Sequence, residues 1–173
     1  DLYKEIVSNL LRRHYKKQEL DDKFSSDYLK TYLKMLDPGK NYFLKSDINS
    51  FQKWSGQLDD YAQSGFISPG SEIFNIFKYR YLTRLNKNIS LLEDQSSTFN
   101  LDTNQTISYD IESKDWMSST QEANEYWERR LTDLLIRQFL NDEDENLEDA
   151  KEVLIKRFLS LIHISEPTRL QQI

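Results

Sequence analysis

The residues of this chain that could carry chemistry are few and lie far apart in the sequence. His14 could act as an acid or base near neutral pH, or bind a metal, because imidazole commonly does both in proteins. It falls at the same helical position as Leu2, Ile6 and Leu10, however, and a zinc-type site needs three or four converging ligands. We therefore predict a structural, hydrogen-bonded histidine, no metal and no cofactor.

Three charged clusters also invite functional interpretations. The arginines and lysines at 12–17 could contact phosphate or anionic lipid, but a solvated helix face explains them better. The acidic run 142–149 lacks the central glycine and the terminal glutamate spacing of an EF-hand calcium loop. Asp59 and Asp60 would need a substrate cleft for acid–base work, and the sequence indicates none. We predict that all three clusters are solvated surface, and that the chain has no catalytic residues.

The overall composition favours a helical domain. The chain has 173 residues, 38% of them hydrophobic, and 23 basic against 29 acidic side chains, for a formal charge of −6. That sign disfavours nucleic-acid binding. Aromatic residues are abundant (three Trp, ten Tyr and nine Phe), whereas Gly (four) and Pro (three) are scarce, which disfavours disorder and turn-rich all-β folds. No apolar stretch approaches the roughly 20 residues of a membrane-spanning helix.

Hydrophobic periodicity predicts a series of helices interrupted by one extended segment. The helices are expected at 2–16, from about 26 to 36, from 48 to near 65, 68–92, 120–139 and 147–158. Residues 94–115 lose the helical period and predict a weak hairpin or extended segment. The predicted fold class is mainly α, an irregular multi-helix bundle with a short extended or hairpin excursion near residues 98–110.

Capping and turn residues predict how the second helix is bounded. Ser25 or Ser26 is expected to cap its N-terminus, and Pro38 forbids its continuation. Proline followed by glycine in the 37–40 turn predicts a tight type II turn with positive φ at Gly39. Tyr42 and Phe43 come directly after this turn and are expected to anchor the third helix against the second.

The last residues of the chain differ from the rest. Residues 159–173 resemble the in-frame translation of a sequencing-library adapter, and we expect them to be a non-native tail. The predicted helical domain is therefore 1–158. Removing the tail takes away one Arg and one Glu and leaves the charge at −6. His163 lies in the tail and is not a candidate catalytic residue.

Several short strings occur along the chain in a fixed order. They are LRRHY at 11–15, LDPGKNYFL at 36–44 with SDI at 46–48, LDD at 58–60, the aromatic and basic stretch 73–80, Trp116, and WERR at 127–130. Together they resemble the amino-terminal domain of tail-specific proteases, the Prc/Tsp family of C-terminal processing peptidases. The positions that carry the resemblance are His14, Tyr15, Leu36, Asp37, Pro38, Tyr42, Phe43, Asp47, Trp116, Trp127 and Arg130.

The resemblance implies a periplasmic or cell-envelope serine endopeptidase that acts on proteins through their carboxyl-terminal tails. In that family the helical domain precedes a PDZ domain, which binds the tail, and a protease domain with a Ser/Lys dyad. No residue of this chain matches the dyad. The implied role is architectural: the domain helps to enclose substrate, contacts the PDZ and protease domains, and offers a docking face to an adaptor protein.

A free-standing helical protein-interaction module is the alternative. A nucleic-acid-binding module is a weaker one, because only the stretch at 12–17 is basic. The coding sequence after residue 158 distinguishes the first two, since a protease would continue into a PDZ domain and a protease domain.

Overall fold

The chain is almost entirely helical in the part that the structure describes. This computed structural model describes residues 2–13, 19–97, 99–101, 106–108, 110–141 and 146–165. The α-helices are α1 Leu2–Arg13, α2 Asp22–Leu36, α3 Lys45–Phe51, α4 Leu58–Ser64, α5 Ser68–Glu93, α6 Thr120–Asn141 and α7 Leu147–Ser165, and a 3-10 turn covers Gln52–Trp54.

The mainly α fold class is confirmed. Within the described ranges there is no strand, and one isolated bridge joins Leu44 and Met117. Residues 99–101, 106–108 and 110, the described part of the predicted 98–110 excursion, are neither helical nor paired in a strand. No helix in the described part of the chain is long and apolar enough to cross a membrane.

The chain divides into two compact units, each with its own core. Unit 1 comprises Asp1–Phe77 with Ile111–Ser119, and unit 2 comprises Lys78–Asp110 with Thr120–Ile173. Helix α5 contributes residues to both. Among the described residues, each unit has one contiguous buried apolar cluster.

The core of unit 1 is built largely from aromatic rings. Its buried members are Leu29 and Leu33 of α2, Phe43, Phe51, Trp54, and Ile73 of α5. The four-residue spacing of Leu29 and Leu33 puts both on one face of α2. The Phe43 and Phe51 rings meet edge to face with centroids 5.5 Å apart, an arrangement that adds roughly 0.5–1.5 kcal/mol to the area that they bury.

The core of unit 2 is mostly aliphatic and joins three helices. Its buried members are Leu85, Ile89 and Leu92 of α5, Leu131 and Leu135 of α6, and Ala150, Leu154 and Phe158 of α7. Helix α7 continues to Ser165, beyond Phe158, where the helical pattern was expected to stop. Leu161 and Ile162 pack against the cluster as half-buried side chains.

Two further predicted boundaries of helices are wrong. The N-cap of α2 is Asp21, whose carboxylate accepts from the Phe24 N–H at 2.7 Å, so α2 begins earlier than a cap at Ser25 implies. The single helix expected from 48 to near 65 is interrupted between Phe51 and Leu58. The predicted end near 65 is correct, since Gly65 has φ 81° and follows the last residue of α4.

Candidate functional site

The turn after α2 is organised by one buried carboxylate. Asp37 is 1% exposed, and its Oδ1 accepts from the Asn41 N–H at 2.7 Å. Its Oδ2 accepts from the Tyr42 and Phe43 N–H groups, each at 3.0 Å. Three backbone donors that would otherwise be unpaired therefore converge on one carboxylate, which fixes the path of the chain from α2 toward α3.

The turn is tight, as predicted, but it is not of type II. The Lys40 N–H donates to the Asp37 carbonyl at 3.1 Å, and the positive φ, 50°, falls on Lys40 rather than on Gly39. Gly39 is needed for a different reason: a Cβ there would lie 2.4 Å from Asn41 Nδ2. That amide is held in place, because Lys114 Nζ donates to Asn41 Oδ1 at 2.7 Å and to the Gly39 carbonyl at 2.9 Å.

Residues 111–119 lie against this turn. Lys40 Nζ donates to the Lys114 carbonyl and lies 5.2 Å from the centroid of the Trp116 ring. The Lys45 N–H donates to the Met117 carbonyl at 2.9 Å, and Lys45 Nζ contacts Asp115 Oδ2 at 2.7 Å. The Lys45 hydrogen bond, followed by the Trp116 N–H, lowers the pKa of the Asp115 carboxyl.

The two aromatic residues after the turn differ in depth. Phe43 is fully buried, and its ring centroid lies 5.6 Å from that of Phe77. Tyr42 is half-buried and meets the Phe77 ring edge to face at 5.9 Å. Asp47 caps the start of α3, where its Oδ2 accepts from the Leu44 N–H at 2.9 Å.

An apolar groove opens on unit 1 between α1, α2, α4 and the start of α5. It encloses a cavity of about 490 Å³, and none of the described residues that line it is charged. Its most exposed lining residues are Tyr3, Ile6, Leu10, Tyr28, Phe66 and Ile67. Helix α1 has an apolar stripe but no buried residue, so the stripe remains partly exposed along the groove. Exposed apolar area of this kind is common at binding surfaces.

Three rings of α2 form a stacked column, of which the first two, Phe24 and Tyr28, line the groove. The centroids of Phe24 and Tyr28 are 6.1 Å apart and those of Tyr28 and Tyr32 are 6.3 Å apart, with nearly parallel planes. The Tyr32 hydroxyl donates to the Gly70 carbonyl at 3.1 Å, which ties α2 to the first turn of α5. Burial, and then Tyr28, raises the pKa of Tyr32.

Comparison with known proteins gives the family. The sequence profile of the family described as "Tail specific protease N-terminal domain" matches residues 6–172. This chain belongs to that family. It is 30% identical over 156 residues to the tail-specific protease of Haemophilus influenzae, an alignment that covers 90% of this chain and 22% of that protein. The chain thus spans about a fifth of the length of this relative, and the resemblance drawn from the motif strings is confirmed.

In this N-terminal domain, most of the positions that carry the family resemblance lie in unit 1. Leu36, Asp37, Pro38, Tyr42, Phe43, Asp47 and Trp116 all belong to the 37–43 turn, to its flanking helices or to the 111–119 segment. In unit 2, Trp127 is buried beside the Tyr126 ring, and Arg130 is a half-buried residue of α6. His14 and Tyr15 lie outside the described residues.

The charged clusters separate into surface and core. Arg12, Arg13 and Asp60 are exposed, as expected. Asp59 is not: it is 6% exposed and hydrogen bonds to Ser25, so its assignment to the surface was wrong. Residues 142–145 lie outside the described part of the chain. Among the described residues, no group of three or more His, Cys, Asp or Glu side chains could hold a metal ion.

A spacing typical of one class of serine acyl enzymes, S-x-x-K, occurs at Ser50 and Lys53. The Ser50 hydroxyl donates to the Asp47 carbonyl at 2.6 Å. Lys53 Nζ contacts Glu72 at 3.3 Å and lies 4.2 Å from the centroid of the Trp54 ring. Because the hydroxyl and the amine each have other partners, on the exposed surface, the pair is not arranged as a nucleophile and its base.

Unit 2 contains a polar cluster that the sequence analysis missed. Asn88 of α5 is fully buried, and neither its Oδ1 nor its Nδ2 has a hydrogen-bond partner. One turn earlier, Arg84 Nη2 donates to Asn124 Oδ1 at 3.1 Å, while its Nη1 is buried without a partner. Burial lowers the pKa of Arg84, and the Glu128 carboxylate opposes that shift.

Proposed function

We propose that this chain is the non-catalytic helical domain of a tail-specific serine endopeptidase of the periplasm or cell envelope, and that its role there is architectural. It helps to enclose protein substrates whose carboxyl-terminal tails are bound elsewhere in the protease, and it offers a docking face to an adaptor. The family match over residues 6–172 carries this proposal. The relative's name supplies the activity, and the relative is several times longer than this chain.

The chemistry of the groove supports a docking role. Its walls are aromatic and aliphatic, with tyrosine hydroxyls as the polar groups. Such a surface binds by excluding water from apolar side chains, at roughly 25 cal/mol per Å² buried. On the same unit, hydrogen bonds join the 37–43 turn to the 111–119 segment. These bonds favour a rigid structure, as a wall that encloses substrate would need.

The experiment compares the full-length protease with a variant that lacks residues 1–158. Two substrates are used: a folded protein with an apolar carboxyl-terminal tail, and a short unstructured peptide with the same terminal residues. We expect the deletion to slow degradation of the folded protein by about tenfold or more while peptide cleavage stays within about threefold, because enclosure affects the large substrate. The 173-residue chain alone is expected to cleave neither substrate.

Two results would contradict the proposal. Cleavage by the isolated chain would show that it has catalytic residues of its own. Degradation of the folded protein at the full rate without residues 1–158 would exclude an enclosing role. A full-length Tyr79→Ser variant is the matched control, since Tyr79 is an exposed aromatic residue outside the groove.

A free-standing helical interaction module remains the second candidate, and the exposed groove is the observation that favours it. We also propose that the domain is 1–158 and that residues 159–173 derive from a library adapter. Sequencing the source DNA past the Phe158 codon separates the protease from the free-standing module, and it also tests the adapter origin of residues 159–173. A PDZ domain and a Ser/Lys protease domain after the Phe158 codon would support the protease, an immediate stop codon would support the module, and nucleotides that differ from an adapter would exclude the adapter origin.

A further inference from the structure

We propose that the polar cluster of unit 2 has two arrangements, and that in the second one Glu128 of α6 turns inward and pairs with Arg84 and Asn88 of α5. In the described arrangement Arg84 Nη2 donates to Asn124 Oδ1 at 3.1 Å. In the second, the Glu128 carboxylate accepts from Arg84 Nη1 and from the Asn88 amide, while the two helices keep their places. This inference concerns the interior of unit 2 and is independent of the proposed function.

The described arrangement leaves three buried polar atoms without partners inside one helical turn. Asn88 is 0% exposed, and its Oδ1 and Nδ2 make no hydrogen bond, nor does the buried Nη1 of Arg84. The two residues are four positions apart on α5, so their side chains lie on the same face. A buried donor or acceptor without a partner has lost its hydration and gained nothing in return. An arrangement that pairs these atoms recovers that free energy.

Glu128 is the acceptor placed to provide the pairing. It follows Asn124 by one turn of α6, and Asn124 is the residue that Arg84 already contacts. Its charge reaches the guanidinium, since it raises the pKa of Arg84 while burial lowers it. Glu128 is exposed, and none of the hydrogen bonds or ion pairs between described residues uses its carboxylate. Nothing in the described part of the chain therefore holds this carboxylate in its outward position.

The carboxylate can also reach the amide, because α5 and α6 run in the same direction past the cluster. The apolar residues that follow Arg84 on α5 share one core with the leucines that follow Asn124 on α6. One turn beyond the contact between Arg84 and Asn124, Asn88 and Glu128 consequently lie at the same height. A carboxylate between a guanidinium and an amide accepts charge-assisted hydrogen bonds, which are stronger than the neutral bond that Arg84 makes to Asn124.

The cost of moving Glu128 inward keeps the second arrangement a minor one. The carboxylate loses part of its hydration as it leaves the surface, and this cost opposes the gain from the new hydrogen bonds. We expect the second arrangement to hold about 0.1–10% of the molecules. Because buried side chains must repack as it forms, exchange between the two is expected on the microsecond to millisecond timescale.

The experiment measures NMR relaxation dispersion in the 173-residue chain, at the side-chain nitrogens of Asn88 and Arg84. We expect exchange at both, and none at the exposed amide of Asn86, whose Nδ2 donates to the Leu82 carbonyl at 3.0 Å. The wild-type profiles thus test the inference without any variant.

The Glu128→Gln variant tests which group becomes the new partner. It keeps the size of the side chain and removes its charge, so the minor population is expected to fall by about fivefold or more. Glu125→Gln is the matched control, because Glu125 is an exposed residue of the same helix whose carboxylate accepts from Gln121. It is expected to leave the minor population within about twofold of the wild-type value.

Flat dispersion profiles at Asn88 and Arg84 in the wild-type chain would overturn the inference. An unchanged minor population in Glu128→Gln would do so as well, since the carboxylate would then not be the partner. Cross-relaxation between the Asn88 amide and a long-lived water, without exchange, would show that a buried water already pairs the amide. Failure of Glu128→Gln to fold would also contradict the inference, because a pairing present in a few per cent of molecules contributes little to folding.

Discussion

The Ser25 hydroxyl donates a hydrogen bond to Asp59 Oδ1 at 2.6 Å, and the Asp59 N–H donates to Ser25 Oγ at 2.8 Å. The two residues are 34 positions apart, and both are buried. One hydroxyl thus serves the first turn of α4 as donor and acceptor at once, as an N-cap residue of that helix would. This reciprocal pair joins α2 to α4, two of the four elements that form the groove.

Replacing Ser25 with alanine is expected to destabilise the chain. The change leaves the Asp59 carboxylate and N–H buried without this partner, and we expect the free energy of unfolding to fall by about 1–3 kcal/mol. Urea denaturation followed by circular dichroism measures it. The control is Ser26→Ala, one residue along the same helix, with an expected change within about 0.5 kcal/mol. Equal effects of the two changes would show that the pair contributes nothing beyond helix propensity.

Replacing Asp37 with alanine is expected to be more costly. Three backbone N–H groups, those of Asn41, Tyr42 and Phe43, would lose their common acceptor. We expect a loss of about 2–4 kcal/mol in the free energy of unfolding, because bonds to a charged group are worth about 1.5–3 kcal/mol and solvent replaces them incompletely. Asp60→Ala, at an exposed position, is the control. A loss at Asp37 no larger than at Asp60 would contradict the role of the carboxylate in organising the turn.

Helices and family could be predicted from the sequence because both depend on local patterns. The spacing of Leu85, Ile89 and Leu92 predicts the apolar face of α5 even when the elements that pack against it are unknown. The 36–44 string identifies the family for a related reason: Asp37 and the backbone donors that it binds lie within six residues of each other. Such local arrangements can be recognised in the sequence as short motifs.

The remaining features depend on partners that are distant in the chain. Ser25 resembles an N-cap and Asp59 resembles a surface charge until each is seen beside the other. Gly39 suggested a positive φ, although what it avoids is the side chain of Asn41. The groove was missed because an amphipathic period shows that α1 has an apolar face, and does not show whether this part of the chain covers it.

Replacing Phe43 with alanine is expected to cost about 3–5 kcal/mol, because the ring is fully buried between Phe51 and Phe77 and its removal leaves a cavity. Phe66→Ala is the matched control at an exposed phenylalanine of the same unit. We expect it to change the free energy of unfolding by less than about 1 kcal/mol in the 173-residue chain. A loss below about 1 kcal/mol at Phe43 would instead indicate a surface contact.

The contact between Lys45 and Asp115 is expected to depend on pH. The hydrogen bond from Lys45 lowers the pKa of the Asp115 carboxyl. The stability that the contact contributes is therefore complete at pH values above the ordinary pKa range of an aspartate, and it is lost as the pH falls through the lowered pKa. In an NMR titration of the Asp115 carboxyl carbon, Lys45→Gln should move the midpoint upward, toward the ordinary range of an aspartate carboxyl. Lys34→Gln, on α2, should leave it in place. An unchanged midpoint in Lys45→Gln would show that the lysine does not hold the carboxylate.

Replacing Asn88 with leucine is expected to stabilise the chain, unlike the other changes. Both polar atoms of the amide are buried without partners, so the folded state carries their desolvation cost and gains no hydrogen bond in return. Leucine has a similar size, and we expect the free energy of unfolding to rise by about 1 kcal/mol. Asn86→Leu, at an exposed position of the same helix, should change it by less than about 0.5 kcal/mol. A loss of stability at position 88 would mean that an internal water satisfies the amide, since such waters bind buried polar groups and are costly to remove.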